Sequence, residues 1–368
     1  MKRGWMAVVA LLLAGCAGSG THAQAPSASA GLPAGPSSTP AASAPATPST
    51  PLAFQCRLPY IFQEANGPTG PGFINVADGT FTPDPEGRLV SDATGNGLQT
   101  VRAPVLHGPG PQSYDWARSR WVPVPSSLVL ADGAEYVYSV EIPNPNGQGL
   151  GGPPPLGTRI HLVDVGTGTD TVAYETTDLL FVIAVAPEGV YLGRVDRPSD
   201  TVQPFHLMLL DLGTHSMRPL LGGMTVGPPN GGYAVGAGWL WLVDVDSARP
   251  VLDARGQSQP NRLVRLSLSD GSRTAWLEKP SYVLQLVGLD LLGSPVLFAF
   301  QPDVSSSYVN WLVSAPSTVS AIAGSGFTAM VADKHGLWFT GWGVFFYSAD
   351  GSLRQIYRRG GQLAGICG

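Results

Sequence analysis

The feature that most constrains this chain is a repeated turn: a glycine after a strand-like run, followed by a second run rich in Val, Tyr, Trp or Phe. It occurs at Gly79, Gly133, Gly189, Gly238, Gly293 and Gly336, spaced by 54, 56, 49, 55 and 43 residues. A period of this size marks a supersecondary unit that cannot bury its apolar faces alone and must stack on its neighbours. A second hairpin follows each glycine. Leu162–Thr167, Leu209–Thr214 and Arg265–Gly271 share one pattern of alternating strand and polar turn, and Tyr347–Gly351 repeats the turn. Tyr114–Val124 and Tyr308–Val319 are weaker counterparts. The chain has no sustained helical period, and Gly and Pro make up 81 of its 368 residues.

Four short strands per unit in six units predict an all-β fold, a six-bladed β-propeller occupying residues 52–368. Seven blades are the alternative. Six is preferred because residues 54–62 and 362–367 read as the two halves of a ring closure. The turns Ala77-Asp78-Gly79, Ala131-Asp132-Gly133 and Pro187-Glu188-Gly189 resemble those of TolB-type extracytoplasmic propellers, whose blades carry Ser-Pro-Asp-Gly there. Only the acidic residue and the glycine are kept. The resemblance implies an architecture and transfers no active site, since one fold hosts many functions.

The N-terminus reads differently. Lys2 and Arg3 precede an apolar stretch from Trp5 to Leu13, too short to span a bilayer and of signal-peptide form. Leu13-Ala14-Gly15-Cys16 resembles a lipobox, the motif of bacterial lipoproteins. The resemblance implies that residues 1–15 are a signal peptide and that Cys16 is acylated. The alternative is an ordinary signal peptide with a chance cysteine at its end. Residues 16–51 are dominated by Ala, Ser, Pro, Thr and Gly and carry no charge, so they form no core and read as a disordered stalk. At about 3 Å per residue the stalk reaches roughly 100 Å. Localisation is therefore expected to be extracytoplasmic and lipid-anchored, with the membrane as first partner.

Removing Lys2 and Arg3 leaves 19 basic against 26 acidic residues, which disfavours nucleic acid as a partner. Two cysteines remain, Cys56 just past the stalk and Cys367 beside the C-terminus. Export permits a disulfide between them, and buried free thiols are the alternative.

No catalytic residue is assigned. Asp78, Asp132, Glu188 and Asp333 beside turn glycines would form an acidic ring on one face, able to offer oxygens to a metal. Asp in a tight turn more often caps its own backbone, so no metal site is expected, and any cofactor is unknown from the sequence. Of the histidines, His22 falls in the stalk and His107, His161, His206, His215 and His335 in the domain, with His161 and His206 on strands, where hydrogen bonds between blades are expected. None has metal-ligand spacing. Asp333-Lys334-His335 is the best local acid–base cluster. Gly166-Thr167-Gly168-Thr169 with Asp170 reads as a hairpin turn, because no helix follows to make a phosphate loop. Gly324-Ser325-Gly326 is not a nucleophile elbow. Trp239, Trp241, Trp338 and Trp342 fall on strand-period positions expected from packing.

Three long connections, 83–112, 143–158 and 247–260, are expected to join second strands to third and so to emerge on one face. Loops of this length are often functional. The leading expectation is a monomeric binding or interaction scaffold for a protein or glycan. The alternative is a propeller enzyme, a hydrolase, lyase or metal-dependent oxidoreductase, acting in the central channel.

Overall fold

The computed structural model describes residues 52–62, 70–89, 112–146, 155–196, 205–220, 225–226, 232–302, 304, 307–322 and 326–368. Cys16, the stalk, His22, His107 and Ser325 lie outside them. Among the described residues there are six sheets of three or more strands, all paired antiparallel, and two separate hairpins. The protein is a β-propeller.

In the order of pairing, sheet 1 holds Gly361–Leu363, Arg57–Phe62, Gly70–Asn75 and Thr80–Pro83. Sheet 2 holds Glu135–Ile142, Gly157–Asp164 and Asp170–Thr176, with Val129 bridging Tyr136 where a first strand would run. Sheet 3 holds Leu179–Ala186, Gly189–Val195, Phe205–Asp211 and Ser216–Pro219, and Thr225–Val226 also pairs with its third strand. Sheet 4 holds Tyr233–Gly236, Trp239–Asp244, Arg262–Ser267 and Arg273–Glu278. Sheet 5 holds Val283–Leu289, Pro295–Phe300, Val309–Ala315 and Thr318–Ile322. Sheet 6 holds Ala329–Asp333, Gly336–Thr340, Val344–Ser348 and Leu353–Tyr357.

The first strands form the inner ring. Tyr233–Gly236 lies against both Leu179–Ala186 and Val283–Leu289, and Ala329–Asp333 lies against both Val283–Leu289 and Gly361–Leu363. Second strands, pressed between adjacent sheets, are apolar on both faces. Leu58–Ile61, Val190–Gly193, Leu240–Asp244 and Pro295–Ala299 are buried throughout. Fourth strands such as Thr80–Pro83 and Ser216–Pro219 are largely exposed and carry Thr, Ser and Arg.

The ring closes within sheet 1. Tyr60 pairs with Leu363 and Phe62 with Gly361, and Arg57 and Gly368 exchange backbone hydrogen bonds of 3.0 and 3.2 Å. Cys56 and Cys367 are joined there as a disulfide, with Cα atoms 5.6 Å apart, inside the range such a bond spans. On the far side, Ile61, Phe73 and Ala364 pack with Trp121 of the hairpin Ser113–Asp115/Arg120–Val122, which leads on to sheet 2.

Three sequence expectations change. Gly189, Gly238, Gly293 and Gly336 sit between first and second strands and Gly133 between the Val129 bridge and Glu135–Ile142, but Gly79 sits between the third and fourth strands of sheet 1. Because the first strand of that sheet comes from the other end of the chain, no continuous turn exists at the equivalent place. Gly79 needs its positive φ of 68°, and a Cβ there would fall 2.4 Å from the Ile356 carbonyl oxygen of sheet 6. Tyr114–Val124 is the separate hairpin rather than part of a sheet. The connection that begins at residue 83 leaves a fourth strand instead of joining second to third, whereas 143–158 and 247–260 do join second to third.

Candidate functional site

Neighbouring first strands of the inner ring touch through apolar side chains. A Cβ at Gly236 would stand 2.6 Å from Leu289, and one at Gly288 would stand 2.8 Å from Met330. Neighbouring first strands thus meet through Leu and Met. Phe181 and Tyr233 continue this packing with ring centroids 6.3 Å apart.

The acidic residues expected in one ring are divided among different tasks. Asp78 caps its own turn, accepting from the Thr80 N–H at 2.9 Å and the Thr80 hydroxyl at 2.7 Å, and these bonds hold its pKa below the ordinary value. Asp132 and Glu188 line a cleft of about 430 Å³ between the turns of sheets 2 and 3, shared with Asp211. Glu188 accepts the hydroxyl of Tyr191, and Asp132 accepts the Ala134 N–H at 2.9 Å. Asp333 is only 5% exposed. Its carboxylate takes the Trp338 Nε1–H at 2.7 Å, the Cys367 N–H at 3.1 Å and the His335 N–H at 2.8 Å. With His335 stacked on Phe54 at 3.9 Å, Asp333-Lys334-His335 is a clasp at the ring closure and not an acid–base cluster. Among the described residues no three His, Cys, Asp or Glu side chains are grouped to hold a metal.

His161 departs from expectation by bonding within its own sheet. Its Nδ1 lies 2.8 Å from Asp170 Oδ1, while the Tyr138 hydroxyl donates to Asp170 Oδ2 at 2.6 Å. Burial, and then this bond to Asp170, push the Tyr138 hydroxyl pKa well up. His206 Nε2 stands 3.6 Å from Asp196. His215 does bridge sheets, its Nδ1 lying 2.7 Å from the Ala173 carbonyl oxygen. Trp338 is fully buried, Trp241 is 4% exposed and Trp342 stands out in solvent.

Sheet 4 holds the densest polar chemistry of the described residues, and sequence reasoning missed it. Asp244 and Asp246, 7% and 6% exposed, lie at the end of its second strand. Arg262 grips Asp244 with two bonds of 2.9 and 3.1 Å, and Arg273 donates to the same carboxylate. That hydrogen bonding to Asp244 raises the Arg262 pKa further. Arg249 Nε stands 3.3 Å from Asp246, and its Nη2 donates to Glu278. Buried Asn261 accepts the Asp246 N–H and donates to the Arg249 carbonyl, both at 2.7 Å. This network roots the connection 245–261, whose tip is the hairpin Val251–Leu252/Ser258–Gln259. Asp253 closes that tip by accepting the Arg255 and Gln257 N–H groups, each at 2.9 Å. Leu252 is 50% exposed beside it. The sequence signal was Asp-Val-Asp directly after Trp-Leu-Trp-Leu-Val, two charges placed where a buried strand ends.

At the opposite end of the sheet, Arg265 lies with its guanidinium 3.7 Å from the Trp239 ring centroid and 3.9 Å from that of Trp276. Both contacts are of the cation–π kind. Trp241 stands edge-on to Trp276 at 5.4 Å.

No protein-family model matches the sequence, and no curated protein matches it. Solved structures with a similar outline include a prolyl endopeptidase, at 13% identity and TM-score 0.45, over 66% of this chain and 37% of that one. TolB from Acinetobacter baumannii is similar at 10% identity and TM-score 0.38, over 63% of this chain and 54% of that one. An oligogalacturonate lyase from Vibrio parahaemolyticus is similar at 9% identity and TM-score 0.43, over 84% and 80%. The chain thus spans about a third and about half of the first two.

Proposed function

We propose that this chain is an exported lipoprotein, tethered through Cys16 and the 16–51 stalk, whose propeller of six blades acts as a monomeric binding scaffold for a protein or glycan. The observation that carries the reading is the connection 245–261. A bare link between two strands needs only a few residues, yet this one is rooted in two buried carboxylates and ends in an ordered hairpin presenting Leu252. Such a rigidly supported surface element suits recognition.

The test is chemical crosslinking in the native envelope, comparing wild type with Leu252→Asp, a change at an exposed site that leaves the ion pairs in place. Loss of a crosslinked species at unchanged melting temperature is the expected result. An identical crosslinking pattern removes the hairpin from the reading. Cys16→Ser tests the tether: radiolabelled fatty acid marks wild type only, and the variant leaves the membrane fraction or stays unprocessed. Equal membrane retention without label in either form overturns the anchor.

A further inference from the structure

We propose that Arg265 is the receptor for a carboxylate on an acidic, aliphatic peptide segment, bound at the turn end of sheet 4. Three hydrogen-bond donors meet there without acceptors. Arg265 Nε, Trp241 Nε1 and Trp276 Nε1 are buried, and none has a hydrogen-bond partner. Buried polar groups are almost always paired, so these three mark a cluster that the fold leaves unmatched; being buried they do not themselves reach a ligand, and the guanidinium Nη groups are the donors left for one. No carboxylate of the described residues lies within ion-pair distance of Arg265, although Arg262 on the same strand engages both Asp244 and Asp246.

The geometry suits an incoming oxyanion. Trp239 and Trp276 cover the guanidinium at 3.7 and 3.9 Å, which fixes its plane. Its remaining donors lie in that plane, at the edge, the direction from which a carboxylate takes two parallel hydrogen bonds. Arg265 as a whole is half-buried, and its Nε is buried.

The register locates the fork. Trp239 follows Gly238 directly, and Trp241 pairs with Arg265, two residues from the turn. The neighbouring first turn of sheet 5 comes close, since a Cβ at Gly293 would stand 3.3 Å from the Ala237 Cβ. That turn raises Leu291 and Leu292, 64% and 87% exposed. The indole faces nearest the fork are already taken by the guanidinium and are not free for stacking a sugar ring. An exposed aliphatic pair on the turn adjoining the one that leads into Trp239 instead fits a peptide that alternates acidic and aliphatic residues. The site lies at the end of sheet 4 opposite the 245–261 hairpin and does not depend on it.

Tryptophan emission of the protein would be titrated with acetylated, amidated Leu-Glu-Leu-Glu, with its Leu-Gln-Leu-Gln counterpart and with a glucuronate-containing disaccharide. The Glu peptide is expected to saturate and to bind at least about tenfold more tightly than the Gln peptide, as a charge-assisted pair would. Arg265→Lys, which keeps the charge and loses the fork, and Leu292→Ser, at a site too exposed to affect folding, should each weaken it several-fold, while Leu252→Asp leaves it unchanged. Equal binding of the two peptides, or wild-type binding by Leu292→Ser, overturns the proposal. Tighter binding of the disaccharide overturns it in favour of an acidic glycan. Should Arg265→Lys fold poorly, the peptide pair and Leu292→Ser still decide.

Discussion

Arg262 and Arg265 stand three residues apart on one strand, and the protein holds them in opposite ways. Arg262 meets two carboxylates and an ordered connection, with its charge matched where Asp244 is buried. Arg265 meets two indoles, with its charge unmatched and its Nε without an acceptor. An ion pair out of water repays its desolvation only when geometry and further hydrogen bonds are complete. The Asp244 end satisfies that condition and reads as architecture. A stacked cation with an unpaired donor does not, and it reads as a place prepared for something else. Two charges of the same sign on the same strand therefore differ in kind, because of the groups that face them.

Several measurements could break this contrast, and the seam sets their scale. Cys56→Ser is expected to cost about 2 to 5 kcal/mol, read as a lower midpoint in urea, because its loop closes nearly the whole folded chain. Cys367→Ser and the double variant should match it, since losing either sulfur loses the bridge. Clearly additive losses would show that the cysteines act separately. Next in size is Asp244→Asn, expected to cost about 2 to 3 kcal/mol by leaving Arg262 and Arg273 facing a neutral amide. Adding Arg262→Met should recover part of that loss, because the pair is coupled. A wild-type midpoint for Asp244→Asn would make the network decoration.

Arg265→Met should stay within about 1 kcal/mol of wild type, because about 1 to 2 kcal/mol of cation–π attraction is lost while an unpaired buried donor is removed. A loss as large as that of Asp244→Asn would erase the distinction between the two ends and make Arg265 a structural keystone.

Much of the fold was legible because its signals are local. A turn glycine and an alternating strand mark each unit without knowledge of the rest, and Cys56 and Cys367 drew attention by flanking the folded region. What was missed depends on partners distant in sequence. Gly79 looks like the other turn glycines, and only the pairing of Gly361–Leu363 with Arg57–Phe62 shows that it belongs to a different set. Asp333-Lys334-His335 looks like acid–base chemistry until Trp338 and the Cys367 N–H take up the carboxylate. Trp239 and Trp241 were readable as packing residues from their period. That Arg265 lies between Trp239 and Trp276 follows from the pairing of three strands, and a strand arginine read alone looks like surface.

The smallest expected effect lies beside Arg265, at Asp270 in the turn between the third and fourth strands. The Ser272 N–H, and then the Ser267 hydroxyl, hold the Asp270 pKa down to about 2. An unfolded aspartate titrates near about 4, so the folded state favours the charged form. That contribution is complete above about pH 4 and is lost as pH falls through about 2. Asp350 is held down to about 2 in the same way, chiefly by the Ser348 hydroxyl, in the matching turn of sheet 6. Asp270→Ala should therefore melt slightly below wild type at pH 6, with the gap closing by pH 2. The difference between Arg265→Met and wild type should not vary with pH in the same way. Thermal scans of both variants at pH 6, 4 and 2 separate the two. A deficit in Asp270→Ala that persists at pH 2 would mean that the side chain serves the turn through its shape, and the charge would then play no part in holding this end of the sheet.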